Sequence, residues 1–185
     1  MIEKKLNSNF LIIKTGSIDT NNAETMLKKL SSNKTNFPII SIISLKPIIS
    51  IEQIESAIHH SLKAFENNSN TAKSIQLEML LFLSAQKQLN KALELMQLNG
   101  KDEVALIGFG KNKKQVLNEI KSLEKSINFT QKNGLIEKNL KKNFNQLKKL
   151  FNISDTEIKI LSEKNKFDGL QKIVLEKIAL TKIGE

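Results

Sequence analysis

Apolar residues fall along this chain in short continuous runs that alternate with stripes at helical spacing, the pattern of strands interleaved with helices. Phe10-Leu11-Ile12-Ile13 stops at Thr15-Gly16 and predicts a buried strand. Asp19 or Thr20 can cap the next helix, whose inner side carries Ala23, Met26, Leu27 and Leu30. Pro38 and Pro47 bracket Ile39 to Leu45, a β-branched run that predicts a short second strand. Ser50 and Gln53 make a capping-box pair, opening a helix to about Glu66 with Ile51, Ile54, Ile58, Leu62 and Phe65 as its stripe.

A turn at Asn67-Asn68-Ser69-Asn70 precedes a helix carrying Ala72, Ile75, Leu77 and Met79 to Leu83, apolar nearly all round and so expected to be buried. Leu89, Ala92, Leu93 and Met96 stripe another helix that stops at Asn99-Gly100. Val104 to Phe109 predicts a third strand, closed by Gly108 and Gly110. Helices follow at Lys113 to Ile127 and, after Asn133-Gly134, at Leu135 to Phe151. Ser154 with Glu157 predicts a capping box for a short helix to about Lys164, and Asp168 with Gln171 caps the last helix, striped by Leu170, Ile173, Val174 and Ile178. With no repeat or long linker, residues 1–185 read as a single domain. The fold class is α/β (α+β): a small mixed β-sheet packed with several helices, with a helical C-terminal half.

Composition sharpens this. There is no cysteine, hence no disulfide, thiolate nucleophile or cysteine-based zinc site. No apolar run is long enough to span a membrane, and Met1-Ile2-Glu3-Lys4-Lys5 does not open a signal peptide, so a cytoplasmic protein is expected. The net charge of +10 comes from lysine alone, since arginine is absent. Two readings fit: a soluble surface with the composition of an AT-rich genome, or a phosphate-facing footprint. Lysine meets phosphate as a point charge without arginine's fork, so nucleic-acid binding would be salt-sensitive and directed at the backbone.

Candidate chemistry is sparse. His59 and His60 have no partner at metal-ligand spacing. Gly108-Phe109-Gly110-Lys111 lacks the full phosphate-loop spacing and reads as a strand-to-helix turn. No triad, nucleophile elbow or paired-carboxylate site is visible, which speaks against an enzyme. The corner Ser84-Ala85-Gln86-Lys87-Gln88 offers more. With Ser84 as N-cap, the amides of Ala85, Gln86 and Lys87 would face outward at a positive helix end, with Lys87 and Lys91 one turn apart beside them. Gln86 and Gln88 could read bases of an unpaired strand. An ordinary helix cap with solvated polar residues is the plainer alternative. No Trp or Tyr is present and most Phe lie on core stripes, so a broad stacking platform is not expected.

In this order, His60-Ser61-Leu62-Lys63-Ala64-Phe65, Glu78-Met79-Leu80, Ser84 to Leu89 and Val174-Leu175-Glu176-Lys177-Ile178-Ala179-Leu180 resemble the TPRKB family, the small kinase-binding subunits of the KEOPS complex. Ala85 stands where that family has Gly, Lys87 where it has Arg, and Lys73 where it has Asn. The resemblance implies a non-enzymatic subunit without cofactor or metal, one that binds the complex's small atypical kinase. It would also recruit tRNA by its unpaired 3′ CCA end for threonylcarbamoyladenosine (t6A) modification. On that reading the RNA-binding residues are His60, Lys63, Lys73, Ser84, Ala85, Gln86, Lys87, Gln88 and Lys91. The partner-binding surface would lie on the last helix around Ile173, Leu180 and Ile183. No membrane and no small-molecule substrate is implied. The competing reading is a protein-only scaffold or kinase regulator that does not touch RNA.

Overall fold

The computed structural model describes residues 1–19, 37–98 and 101–181. Thr20, the stripe Ala23, Met26, Leu27 and Leu30, the stop at Asn99-Gly100, and Ile183 lie outside them. Two compact units divide the chain. One comprises the described residues of 1–45, 74–76 and 97–135, and the other those of 46–73, 77–96 and 136–185.

The first unit is a sheet with one helix laid on it. Strands β1 (Ile2–Leu6), β2 (Asn9–Ser17), β3 (Ile39–Ser44), β4 (Glu103–Gly110) and β5 (Thr130–Gln131) take the order β1-β2-β4-β3, with β5 on β2. All described pairings are antiparallel rather than mixed; only β1 and β2 form a hairpin, and the other pairs join strands far apart in the sequence. Period-two alternation puts Ile12, Ile40, Ile42, Val104 and Leu106 in one cluster with Val116, Ile120 and Leu123. Those last three line the inner side of α4, whose position in the sequence is Lys113–Ser126. Gly110 ends β4 as expected, whereas Gly108 lies inside it. A Cβ on Gly108 would sit 2.5 Å from Val116 Cγ1, so bare backbone lets the helix lie close.

The second unit is helical. Its helices are α1 (Ile51–Glu66), α2 (Ile75–Ser84, in this unit from Leu77), α3 (Leu89–Leu95), α5 (Leu135–Lys142, from Ile136), α6 (Phe144–Leu150), α7 (Asp155–Leu161) and α8 (Lys166–Ala179). Helix α8 packs against α1 and α7. α1 has its predicted bounds, although its cap differs in detail. Ser50 Oγ accepts from Gln53 N–H at 3.2 Å, while Gln53 Oε1 accepts from Ile49 N–H at 2.7 Å rather than from Ser50. The Ser154–Glu157 capping box is complete, with Ser154 N–H donating to Glu157 at 2.7 Å.

Other boundaries moved, for local reasons. The helix with Ile75 begins there, leaving Ala72 in the preceding loop, where its N–H donates to Glu78 at 2.7 Å. The predicted Leu135–Phe151 helix is two helices parted at Asn143. Asn143 Nδ2 donates to Asn139 Oδ1 at 2.8 Å, and Asn139 Nδ2 donates to Ile48 O, also at 2.8 Å. α8 starts before Asp168: Asn165 is its N-cap, accepting from Phe167 and Asp168 N–H. Asp168 instead accepts from Glu163 N–H at 3.1 Å, and that bond holds its carboxyl below the usual range.

Candidate functional site

Ser84 ends a helix; it does not begin one. Its hydroxyl donates back to Leu80 O at 2.7 Å, and Ala85 follows with φ 50°, a left-handed conformation. Ala85 N–H donates to Phe82 O and Gln86 N–H to Leu81 O, both at 3.0 Å. This pair of bonds is the Schellman stop. Two of the three amides predicted to receive an anion, those of Ala85 and Gln86, are therefore already engaged with the carbonyls of α2. Gln88 is the N-cap of α3, without a side-chain capping bond. Lys91 lies in the first turn of α3 and Lys87 before its cap, so the two lysines do not share a helix face as predicted.

The corner nevertheless opens onto a cleft of about 410 Å³, lined by Ser84, Ala85, Gln86 and Lys87 together with Leu150, Phe151, Asn152, Lys177, Leu180 and Thr181. All of these belong to the helical unit. Three helix C-termini meet there. Asn152 (φ 50°) closes α6 by a second Schellman stop, Ile153 N–H donating to Lys148 O at 2.9 Å. At the end of α8, Thr181 Oγ1 donates to Lys177 O at 2.9 Å. Helix C-termini carry partial negative charge, and although intrachain bonds already occupy most of the last carbonyls of these three helices, each such oxygen keeps a second lone pair. A ligand at this cleft thus meets acceptors from the backbone, and positive charge only from Lys87 and Lys177. Neither lysine forms a salt bridge among the described residues.

Of the residues predicted to bind RNA, the cleft gathers Ser84 (itself buried), Ala85, Gln86 and Lys87. Gln88, Lys91, Lys63 and Lys73 are exposed but do not line it. His60 also lies outside the lining, half-buried on α1 and stacked on Phe82 with ring centroids 5.4 Å apart at 26°. Burial, then the charges of His59 and Lys63, lower its pKa, which favours the neutral ring. Lys177, Asn152 and Thr181 escaped the sequence reading. Lys177 stands in the heptapeptide quoted above, and only the placement of α8 brings it to Lys87.

The partner-binding residues separate too. Ile173 is 3% exposed and thus leaves the surface, because it points into the packed side of α8. Leu180, 47% exposed, lines the cleft. Ile183 lies outside the described residues.

Ala85 carries a testable cost. Left-handed backbone is disfavoured for a residue with a Cβ by about 1–2 kcal/mol, so glycine belongs at this stop. Ala85→Gly is expected to stabilise the protein by about 1 kcal/mol, raising Tm by about 2–4 °C in calorimetry. An unchanged or lower Tm would contradict the turn described.

The fold and cleft define an α/β protein whose helical unit presents a lysine-flanked pocket at converging helix ends. The chain belongs to the family of the kinase binding protein CGI-121, which it matches over residues 18–182. That is the family to which its sequence motifs pointed, and a kinase-binding role comes with it. No curated protein matches the chain. Among the described residues no helix is long and apolar enough to cross a membrane.

Proposed function

We propose that this chain is a non-catalytic, cytoplasmic subunit of the KEOPS complex. It binds the complex's small atypical kinase and recruits tRNA through the 3′ CCA end for t6A modification. The observation that carries the RNA half is the meeting, in a single cleft, of carbonyl-bearing helix ends with two lysines outside the described salt bridges, Lys177 lying also in the field of Glu157. Cytosine and adenine each bear an exocyclic amine, a donor that suits backbone carbonyls, while the connecting phosphates suit Lys87 and Lys177. Bases would enter and the sugar-phosphate chain would stay at the lysine rim. This replaces the phosphate-on-helix-start geometry with a different division of labour.

One observation favours the competing reading of a protein-only scaffold. Three helix dipoles point their negative ends at the cleft, which opposes a polyanion unless the lysines outweigh them. A mobility-shift titration decides between the two. Intact tRNA is expected to bind at least about tenfold more tightly than the same tRNA lacking CCA, the difference a few base-specific hydrogen bonds supply. Equal affinities would remove end recognition. No saturable binding at near-physiological salt, with kinase co-purification retained, would establish the scaffold.

A further inference from the structure

The turn after β5 in the sheet unit carries an exposed Asn133-Gly134 pair. Its entry is clamped: Lys132 N–H donates to Thr15 O at 2.8 Å, and Thr15 Oγ1 donates back to Lys132 O at 2.6 Å. Beyond the clamp the chain is open. Gly134 has φ 68°, and a Cβ built on it meets nothing within 4 Å. Its N–H makes no hydrogen bond among the described residues.

That free amide sets Asn133 apart. An asparagine side chain is open to attack by the backbone nitrogen of the next residue, provided that nitrogen is not held elsewhere. After Asn68, Asn128 and Asn152 it is held: the following N–H donates to Ala64 O, Glu124 O and Lys148 O at 2.8, 3.1 and 2.9 Å. After Asn70, the Thr71 N–H donates to the buried Glu78 carboxylate at 3.0 Å. The Asn133 amide is also prepared as an electrophile. Its Oδ1 accepts from the Met1 nitrogen at 3.2 Å and, at a longer 3.4 Å, from Gln131 Nε2. Donors placed there stabilise the oxygen as it takes on negative charge.

We infer that Asn133 is a self-modification site, at which the folded chain converts the side-chain amide to a carboxylate. The Gly134 nitrogen loses its proton to hydroxide and attacks Asn133 Cγ. The bond from Cγ to the side-chain nitrogen breaks, ammonia leaves with a proton from water, and a five-membered succinimide joins the two residues. Water then opens either carbonyl of the ring, leaving aspartate or isoaspartate at this position. One water is consumed and one ammonia released, with no oxidation or reduction. The new carboxylate keeps both donors and stands just before the positive end of α5, where negative charge is favoured.

The test incubates the full chain for several days, in buffer and in urea, and maps its peptides by mass spectrometry. Asn133 is expected to convert in buffer within about threefold of its rate in urea, because the turn needs no opening. The peptides with Asn68 and Asn152 should convert at least about tenfold more slowly in buffer than in urea, since the fold holds the attacking amides. Asn99-Gly100, outside the described residues, falls in a different peptide. The rate at Asn133 should rise about tenfold from pH 7 to pH 8, as the fraction of amide anion does far below its pKa. Gly134→Ala should slow it about tenfold, because the methyl crowds the nitrogen and disfavours this φ. Protection of Asn133 by tenfold or more in buffer, a rate indifferent to pH, or undiminished conversion in Gly134→Ala would overturn the inference.

Discussion

Replacing Gln53 with alanine is expected to cost about 4 kcal/mol of stability, a large share of the roughly 5–15 kcal/mol that holds a domain folded. Gln53 is fully buried at the start of α1, and its side chain partners three backbone groups. Oε1 accepts from Ile49 N–H at 2.7 Å, while Nε2 donates to Leu83 O at 2.7 Å and to Pro47 O at 3.1 Å. Alanine strands all three out of water at about 1–3 kcal/mol each, less whatever entering water recovers, and adds a cavity. Ser50→Ala removes only the capping hydroxyl and is expected to cost about 1 kcal/mol. Urea unfolding of both variants with unchanged m-values is the measurement. A Gln53→Ala loss under about 1 kcal/mol would mean that the network is not formed. Because Leu83 precedes Ser84, the same bonds fix the last turn of α2, which leads into the RNA-candidate cleft.

Where one element's own side chains set the outcome, the sequence was informative. The bounds of α1 follow from a stripe and a cap within it, and the Ser154–Glu157 box from two residues three apart. Strand β1 was missed although Ile2, Lys4 and Leu6 alternate with exposed Glu3 and Lys5, because charge on a short strand masks its period. The break at Asn143 depends on Asn139 reaching Ile48, a contact across 91 residues that no local pattern encodes.

The error at Ser84 is more instructive. A serine at a helix boundary can bond forward to cap a new helix or back to the carbonyl four residues earlier, and composition does not separate the two. Spacing could have. Five residues part the apolar end of α2 at Leu83 from the next stripe at Leu89, enough for one helix to stop and another to be capped. The family's glycine at the position of Ala85 points the same way, since glycine is enriched just past a helix end. Once the corner is a stop, the amides cease to be an anion site, and the lysines must supply the attraction to phosphate.

Reversing both lysines, Lys87→Glu with Lys177→Glu, is therefore expected to weaken tRNA binding by about 10- to 100-fold at moderate salt, more than either single change. Neutral replacement by glutamine should lose less. It should also flatten the dependence of log affinity on log salt by about 1.4, the share of two contacts to a single-stranded backbone. Replacing CCA by UUU tests the other half of the geometry. It keeps every phosphate and removes three exocyclic amines, so affinity should drop about tenfold or more while the salt slope stays put. The same reversal at Lys138 and Lys149, exposed residues outside the cleft lining, is the control for net charge. If that control weakens binding as much as the cleft variant, attraction to the chain is diffuse. If UUU binds as well as CCA, the carbonyl ends of the three helices are not reading bases.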